Sequence, residues 1–200
     1  MYKKFIKRLF DFLTALMAFI LLSPVFLIIF ILIKLDSRGP IFFKQRRIGK
    51  DKNEFLILKF RSMKIDAPKD KATHLLDNPD EYITRVGRVL RKTSLDELPQ
   101  LLNIIVGQMS VVGPRPALYN QYDLIEMRDE YNANDVRPGL TGWAQVNGRD
   151  ELPNKVKSKL DGEYIEKMSF AFDLLCIART FRSVSSAQGI VEGKQENNED

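Results

Sequence analysis

The pattern of apolar and polar positions divides the chain near residue 34. Residues 12–33 form an uncharged run of 22 residues (FLTALMAFILLSPVFLIIFILI) without the polar face of a soluble core helix. At ~1.5 Å per residue the run matches the ~30 Å hydrocarbon core of a bilayer. It exceeds the ~7–15 apolar residues of a signal peptide, and no small-x-small cleavage site follows. Beyond it, β-prone runs at 41–48 and 54–60, separated by Gly-Lys-Asp-Lys-Asn, predict a hairpin. The polar stretch 66–80, with Pro68 and Pro79, reads as an exposed loop. Helical periodicity resumes at 82–91 and at 94–106, where Leu98, Leu101, Leu102 and Ile105 share a face. A loop at 107–116 and a helix at 119–131 follow. Residues 137–149 hold three glycines and a proline and predict an ordered, irregular loop. Helices at 154–168 and 170–183 come next, then a polar tail from Glu192. The last helix suits a core position or a membrane interface. No internal repeat is present.

Ser23-Pro24 lies in the middle of the apolar run. Pro24 removes one intrahelical hydrogen bond and crowds the carbonyl four residues back, and the Ser23 hydroxyl can satisfy a freed group, so a bend is expected there. Charge adds a second constraint. Residues 1–52 carry eleven Lys and Arg against Asp11, Asp36 and Asp51, a net of +8, whereas the remaining 148 residues carry −3. Cations therefore flank the apolar run at both ends, and the positive-inside rule cannot orient a spanning helix. A helix that enters, bends at Ser23-Pro24 and leaves by the same face satisfies both flanks; an ordinary kinked spanning helix is the alternative. On either reading the remaining chain lies on the cytoplasmic side, beside anionic headgroups. Confinement of the basic excess to the N-terminal quarter also disfavours a nucleic-acid-binding face.

Two hundred residues suffice for one domain with an attachment. One cysteine, Cys176, excludes an intramolecular disulfide and a multi-thiolate metal site, and one histidine, His74, excludes a multi-histidine site. Chemistry must rest on carboxylates, Lys, Arg and backbone dipoles. The segment richest in such groups is Arg91-Lys92-Thr93-Ser94-Leu95-Asp96-Glu97-Leu98-Pro99. Ser94 and Glu97 have capping-box spacing, although Pro99 conflicts with a helix that starts at Ser94 and makes a start near Asp96 equally acceptable. Acids in a first turn are often only caps, worth ~0.3–1 kcal/mol. The functional reading is that the helix dipole and Arg91 keep a carboxylate ionised, ready as nucleophile or Mg²⁺ ligand. Lys59 and Arg61 at the end of the second strand and Arg115 between prolines favour that reading jointly, because fixed cations facing an acidic pair suit a phosphate-bearing substrate.

These residues stand in blocks that together resemble the small monotopic phosphoglycosyl transferases, the bacterial sugar transferase family. The blocks are Lys7-Arg8-Leu9-Phe10-Asp11, Ser23-Pro24, Gln45-Arg46-Arg47-Ile48-Gly49, Lys59-Phe60-Arg61-Ser62-Met63, residues 94–103 (SLDELPQLLN), residues 109–116 (MSVVGPRP) and residues 137–149 (RPGLTGWAQVNGR). Each is weak alone, but seven in family order are specific. The resemblance implies an α+β fold, mostly helical with a small β-hairpin, and a monotopic arrangement with the N-terminal re-entrant membrane helix broken at Ser23-Pro24. It divides the chain into a membrane helix (1–36), a catalytic domain (37–191) and a polar tail (192–200).

It further implies transfer of a sugar 1-phosphate from a UDP-sugar to undecaprenyl phosphate, releasing UMP, with Mg²⁺ as cofactor. The setting is the cytoplasmic face of a bacterial inner membrane, at the first membrane step of glycoconjugate assembly. Asp96 is then the nucleophile and metal ligand, Glu97 its catalytic companion, and Lys59, Arg91 and Arg115 the phosphate clamp. Arg61, Pro114, Thr141, Gln145, Asn147, Arg149 and Asp161 fit the substrate walls. Expected partners are the two substrates and the lipid bilayer, with no nucleic acid and a homodimer left open. Two departures from the family pattern, Gln108 before Met-Ser and Glu151-Leu152-Pro153-Asn154, bear on the sugar rather than on the reaction. The alternatives to a transferase are an idle membrane-anchored assembly factor and a phosphohydrolase.

The bent-helix reading is tested by topology. A cysteine introduced before Phe5 and probed with a membrane-impermeant thiol reagent is expected to label in the compartment of the globular domain; opposite compartments would establish a spanning helix.

Overall fold

A computed structural model describes residues 2–68, 79–148 and 152–185. After a π-helical turn at Tyr2–Ile6, two helices, α1 (Lys7–Leu21) and α2 (Ser23–Asp36), meet at an angle of 61°. The bend has a local cause. Pro24 has no N–H for the Ile20 carbonyl, and the Ser23 hydroxyl donates to that carbonyl instead at 2.8 Å. Among the described residues no single helix is long and apolar enough to cross a membrane; the bent pair meets the length and composition requirements together.

The sequence expectation of a hairpin holds: β1 (Phe42–Ile48) pairs antiparallel with β2 (Glu54–Phe60), Gln45 opposite Ile57. Helices α3 (Pro79–Tyr82), α4 (Arg85–Lys92), α5 (Gln100–Ile105), α6 (Tyr122–Asp129), α7 (Trp143–Val146), α8 (Asn154–Lys167) and α9 (Phe170–Ser185) build the rest, with strands β3 (Ser110–Val112) and β4 (Gly139–Thr141) between them. The fold is α+β and mostly helical. Most of the expected 66–80 loop, Arg149 and the tail from Glu192 lie outside the described residues.

Three expectations are corrected. The helix expected over 82–91 is interrupted at Ile83 and Thr84, where Ile83 bridges to Met63; Thr84 then caps α4 by accepting the Gly87 N–H at 3.0 Å. Ser94 caps nothing: its φ is +57°, and the chain makes a 3-10 turn over Leu95–Glu97 before α5 begins after Pro99. The proline ring, which cannot follow a helical Leu95, is the physical reason. Finally, the expected loops 107–116 and 137–149 each contain a short strand, and these pair in parallel, Ser110 with Gly139 and Val112 with Thr141. Gly139 permits that approach: a Cβ there would lie 2.1 Å from the Gly113 nitrogen.

The bent helices pack on the domain along one side. Ala15 of α1 joins Ile57, Leu101, Ile104 and Met109, while Ile29 and Ile33 of α2 join Phe60 and Leu90. Their other side is apolar and exposed, with Leu13, Met17, Ile20, Leu27, Ile28 and Ile31 outward. At the foot of α1, buried polar groups tie the helix to two distant elements. Asp11 accepts the Val111 N–H at 3.0 Å and the Ser110 hydroxyl at 2.7 Å. Lys7 meets Asp173 of α9 at 2.7 Å, and the Tyr2 hydroxyl donates to the same carboxylate. The Tyr164 hydroxyl lies 2.8 Å from Asp173 Oδ1 and 3.0 Å from the Val112 carbonyl.

Removing one member of a buried ion pair leaves the other charge uncompensated. Asp173→Ala is therefore expected to cost about 3–5 kcal/mol of stability, read as a lowered thermal midpoint of the detergent-solubilised protein. An unchanged midpoint would show that the Lys7 contact contributes nothing to holding α1.

Candidate active site

Asp96 and Glu97 sit in the 3-10 turn between α4 and α5, and three separate elements bring cations to them. The hairpin supplies Lys59, whose ammonium donates to Glu97 Oε1 at 2.8 Å and lies 3.8 Å from Asp96 Oδ2. The last turn of α4 supplies Arg91; that helix is pressed onto the exit of β2, where a Cβ on Gly87 would lie 1.9 Å from the Ser62 carbonyl oxygen. The Gly113-Pro114-Arg115-Pro116 turn after β3 supplies Arg115, with Nη2 3.4 Å from Glu97 Oε1. Asp96 is 7% exposed. Burial pushes its carboxyl above the usual carboxylate range, Lys59 pulls it back, Glu97 raises it further, and Arg91 and Arg115 oppose. The net direction is upward, with burial the largest cause, and the turn that holds Asp96 opens no long helix whose dipole would oppose it.

Two cavities flank the pair. One of about 390 Å³ is lined by Asp96, Lys59, Arg91, Lys44, Arg47 and several apolar residues of the hairpin. The other, about 350 Å³, is lined by Glu97 and a mainly apolar wall that includes Leu98, Val111, Leu140 and Ile177. Neighbours in the chain, the two carboxylates stand between these cavities, one bordering each.

The residues expected in the substrate walls separate into several groups. Thr141 and Gln145 line the second cavity. Thr141 is paired with Thr180 at 2.6 Å, and Gln145 donates to the Leu140 carbonyl at 3.0 Å while its Oε1 has no hydrogen-bond partner among the described residues. Pro114 contributes its carbonyl, which accepts the Gly139 N–H at 2.9 Å. Arg61 borders the first cavity, but its guanidinium donates to the Ser37 carbonyl at 2.7 Å and to that of Arg38, closing the C-terminal end of α2. Asn147 is exposed and donates to the Trp143 carbonyl. Asp161 lines neither cavity: it is 1% exposed and paired with Arg128 at 2.7 Å. Gln108 accepts from Asn103 at 2.7 Å, and Asn103 in turn braces β2 through Leu56 and Leu58. That departure from the family pattern therefore supports the hairpin. Arg128 gave no signal in the sequence, since a single arginine in a short helix has none of its own.

The pair can hold a Mg²⁺ ion in one way. Among the described residues no group of three or more His, Cys, Asp or Glu side chains forms a self-sufficient metal cage. Mg²⁺ characteristically takes one or two carboxylates and completes its shell with water and substrate phosphates. Asp96 with Glu97 fits that requirement.

The family model described as "Bacterial sugar transferase" matches residues 2–187. Exopolysaccharide production protein ExoY of Sinorhizobium fredii is 39% identical, over 92% of this chain and 87% of that protein. The UDP-N-acetylgalactosamine-undecaprenyl-phosphate N-acetylgalactosaminephosphotransferase of Aeromonas hydrophila is 40% identical, over 92% of this chain and 45% of its own. The UDP-glucose:undecaprenyl-phosphate glucose-1-phosphate transferase of Escherichia coli is also 40% identical, over 88% and 39%. The chain thus spans nearly all of the first relative and under half of the other two.

Ser94, two residues before Asp96, is held in the left-handed region. A β-branched residue is disfavoured there and glycine is not. Ser94→Val is expected to cost about 1–2 kcal/mol and Ser94→Gly nothing, measured by thermal unfolding. Equal stability of the two variants would mean that the turn relaxes without strain.

Proposed function

The chain belongs to the bacterial sugar transferase family, and on that premise we propose that it transfers a sugar 1-phosphate from a UDP-sugar to undecaprenyl phosphate, releasing UMP. The observation that carries this reading is the enclosed Asp96–Glu97 pair, with Lys59 and Arg115 on Glu97 and Arg91 beside Asp96 at a shared cavity. The names of the relatives from A. hydrophila and E. coli, which are undecaprenyl-phosphate sugar phosphotransferases, support the substrate classes.

In the proposed reaction the Asp96 carboxylate attacks the phosphorus next to the sugar. The bond between that phosphorus and the oxygen of UMP breaks, UMP leaves, and the sugar phosphate is left joined to the carboxylate as an acyl phosphate. A phosphate oxygen of the lipid then attacks the same phosphorus and releases Asp96. Displacements at phosphorus run roughly in line, so the lipid phosphate occupies the place that the phosphate of UMP has left. One set of cations, Lys59, Arg91 and Arg115, serves both half-reactions. Arginine offers a planar fork to phosphoryl oxygens and lysine a point charge. Bringing these cations next to Asp96 also lowers a carboxyl that burial raises, so substrate and nucleophile compete for the same positive field. Mg²⁺ bound by Asp96 and Glu97 would supply charge neutralisation at the diphosphate. Glu97 holds Lys59 and Arg115 at the mouth of the site.

The reading places the chain in a bacterial inner membrane, with α1 and α2 as a re-entrant helix and residues 37–191 on the cytoplasmic face. The 61° bend, the packing of both arms on one domain and the exposed apolar outer side support that placement. It suits the chemistry, since the phosphate of a polyprenyl lipid stays at the interface. The pathway is the first membrane step of glycoconjugate assembly.

The test is turnover of purified protein with undecaprenyl phosphate, Mg²⁺ and a panel of UDP-sugars, following UMP. Asp96→Asn is expected to lose at least ~10³-fold, and chelation of Mg²⁺ to abolish turnover. Without lipid, the parent should release about one UMP per enzyme and stop. Steady lipid-independent release would establish a phosphohydrolase, and full activity of Asp96→Asn would end the covalent mechanism.

A further inference from the structure

The main chain that carries Arg115 is tied to three other parts of the fold. Three successive carbonyls each have a donor from a different part of the fold. Pro114 accepts from the Gly139 N–H at 2.9 Å, Arg115 from Arg128 Nη1 at 2.9 Å, and Pro116 from Arg47 Nη1 at 2.9 Å. Prolines on both sides of Arg115 restrict its neighbours' torsions further. The Arg115 side chain, 37% exposed, lies 3.4 Å from Glu97.

The donor to Arg115 is itself fixed. Arg128 is 4% exposed; its Nε donates to Asp161 Oδ2 at 2.8 Å, and its Nη2 lies 2.7 Å from the same oxygen in an ion pair. Asp161 is 1% exposed. Burying a guanidinium and a carboxylate is costly, and apolar residues of similar volume often stabilise a fold as well or better. The remaining nitrogen of the guanidinium supplies a use for the pair: with Nε and Nη2 turned to Asp161, Nη1 donates to one carbonyl, that of Arg115.

We propose that Asp161 and Arg128 are positioning residues for Arg115, acting through its main chain to hold its guanidinium where a phosphate group of the substrate binds beside Glu97. This gives Asp161 a role in place of the direct substrate contact that family resemblance implies. It rests on the phosphate-clamping role of Arg115 in the proposed transferase reaction.

A double-mutant cycle isolates the coupling. The full-length protein in detergent is assayed twice, for UDP binding by calorimetry and for UMP release with undecaprenyl phosphate. Asp161→Asn is expected to weaken UDP binding and slow turnover on the order of tenfold or more, the scale of a misplaced charge-assisted contact. In an Arg115→Ala background the same substitution is expected to change either quantity less than twofold. Equal losses in both backgrounds would overturn the proposal, as would full UDP affinity in Arg115→Ala. Should Asp161→Asn fail to fold, the paired replacement Asp161→Leu with Arg128→Met keeps the volume without the buried charge. It is expected to retain the parent's thermal midpoint and lose UDP affinity; unchanged affinity in that folded variant would overturn the proposal. Asp161→Glu should restore part of the loss. The binding readout separates this idea from the reaction: a chain that binds UDP through Arg115 and never releases UMP contradicts the transferase reading alone.

Discussion

Two adjacent carboxylates, both largely withdrawn from water, can share a site only if positive charge is built around them. Asp96 and Glu97 impose that constraint, and much of the architecture answers it. Desolvation raises Asp96 and the second acid raises it again. The opposing cations come from three places far apart in the chain: a β-hairpin, the end of α4 and the turn after β3. The glycines at positions 87 and 139 matter for the same reason, since the first lets α4 approach the hairpin and the second lets β4 brace the arginine turn. Lys59 is central, because it reaches both carboxylates.

The second dependence is between the site and the bent helix pair. Asp11, at the foot of α1, accepts from Ser110 and Val111, the first residues of β3. The strand ends in the turn that holds Arg115. Lys7 and Tyr2 meanwhile grip Asp173 on α9, and α9 borders the cavity on the Glu97 side through Ile177 and Thr180. The apolar helices and the cation field are therefore not independent modules. If the pair lies in one leaflet, its depth is transmitted through buried polar contacts to the elements around the dyad.

How much of this was legible in the sequence follows the range of the interactions. The bend at Ser23-Pro24 was legible because its cause, a missing N–H and a nearby hydroxyl, is contained in five residues. The hairpin and the last two helices were legible for the same reason, each having its own periodicity. The strands β3 and β4 were not: three residues show no period, and each needs the other to exist. Ser94 has the composition of a cap but not the geometry, since Pro99 moves the helix start beyond it. Arg61 and Asp161 carried the right chemistry for substrate contact, yet one closes a helix end and the other neutralises an arginine 33 residues away. Those roles depend on neighbours that only the fold selects.

The arginine turn shows why such selection matters for phosphate chemistry. A cation on a flexible loop can follow a phosphate wherever it goes and so stabilises ground state and transition state alike, which lowers KM without raising kcat. A cation whose main chain cannot move favours one position of the charge. Arg115 is of the second kind, with three neighbouring carbonyls occupied and a proline on each side. In a double displacement the phosphoryl group is approached first by Asp96 and then from the opposite side, while the group itself moves little. A fixed arginine beside a fixed dyad suits that sequence better than a mobile one, because the same geometry must serve a soluble nucleotide in one half-reaction and a lipid headgroup in the other. Rigidity, on this view, is what allows one small cradle to accept two very different phosphates.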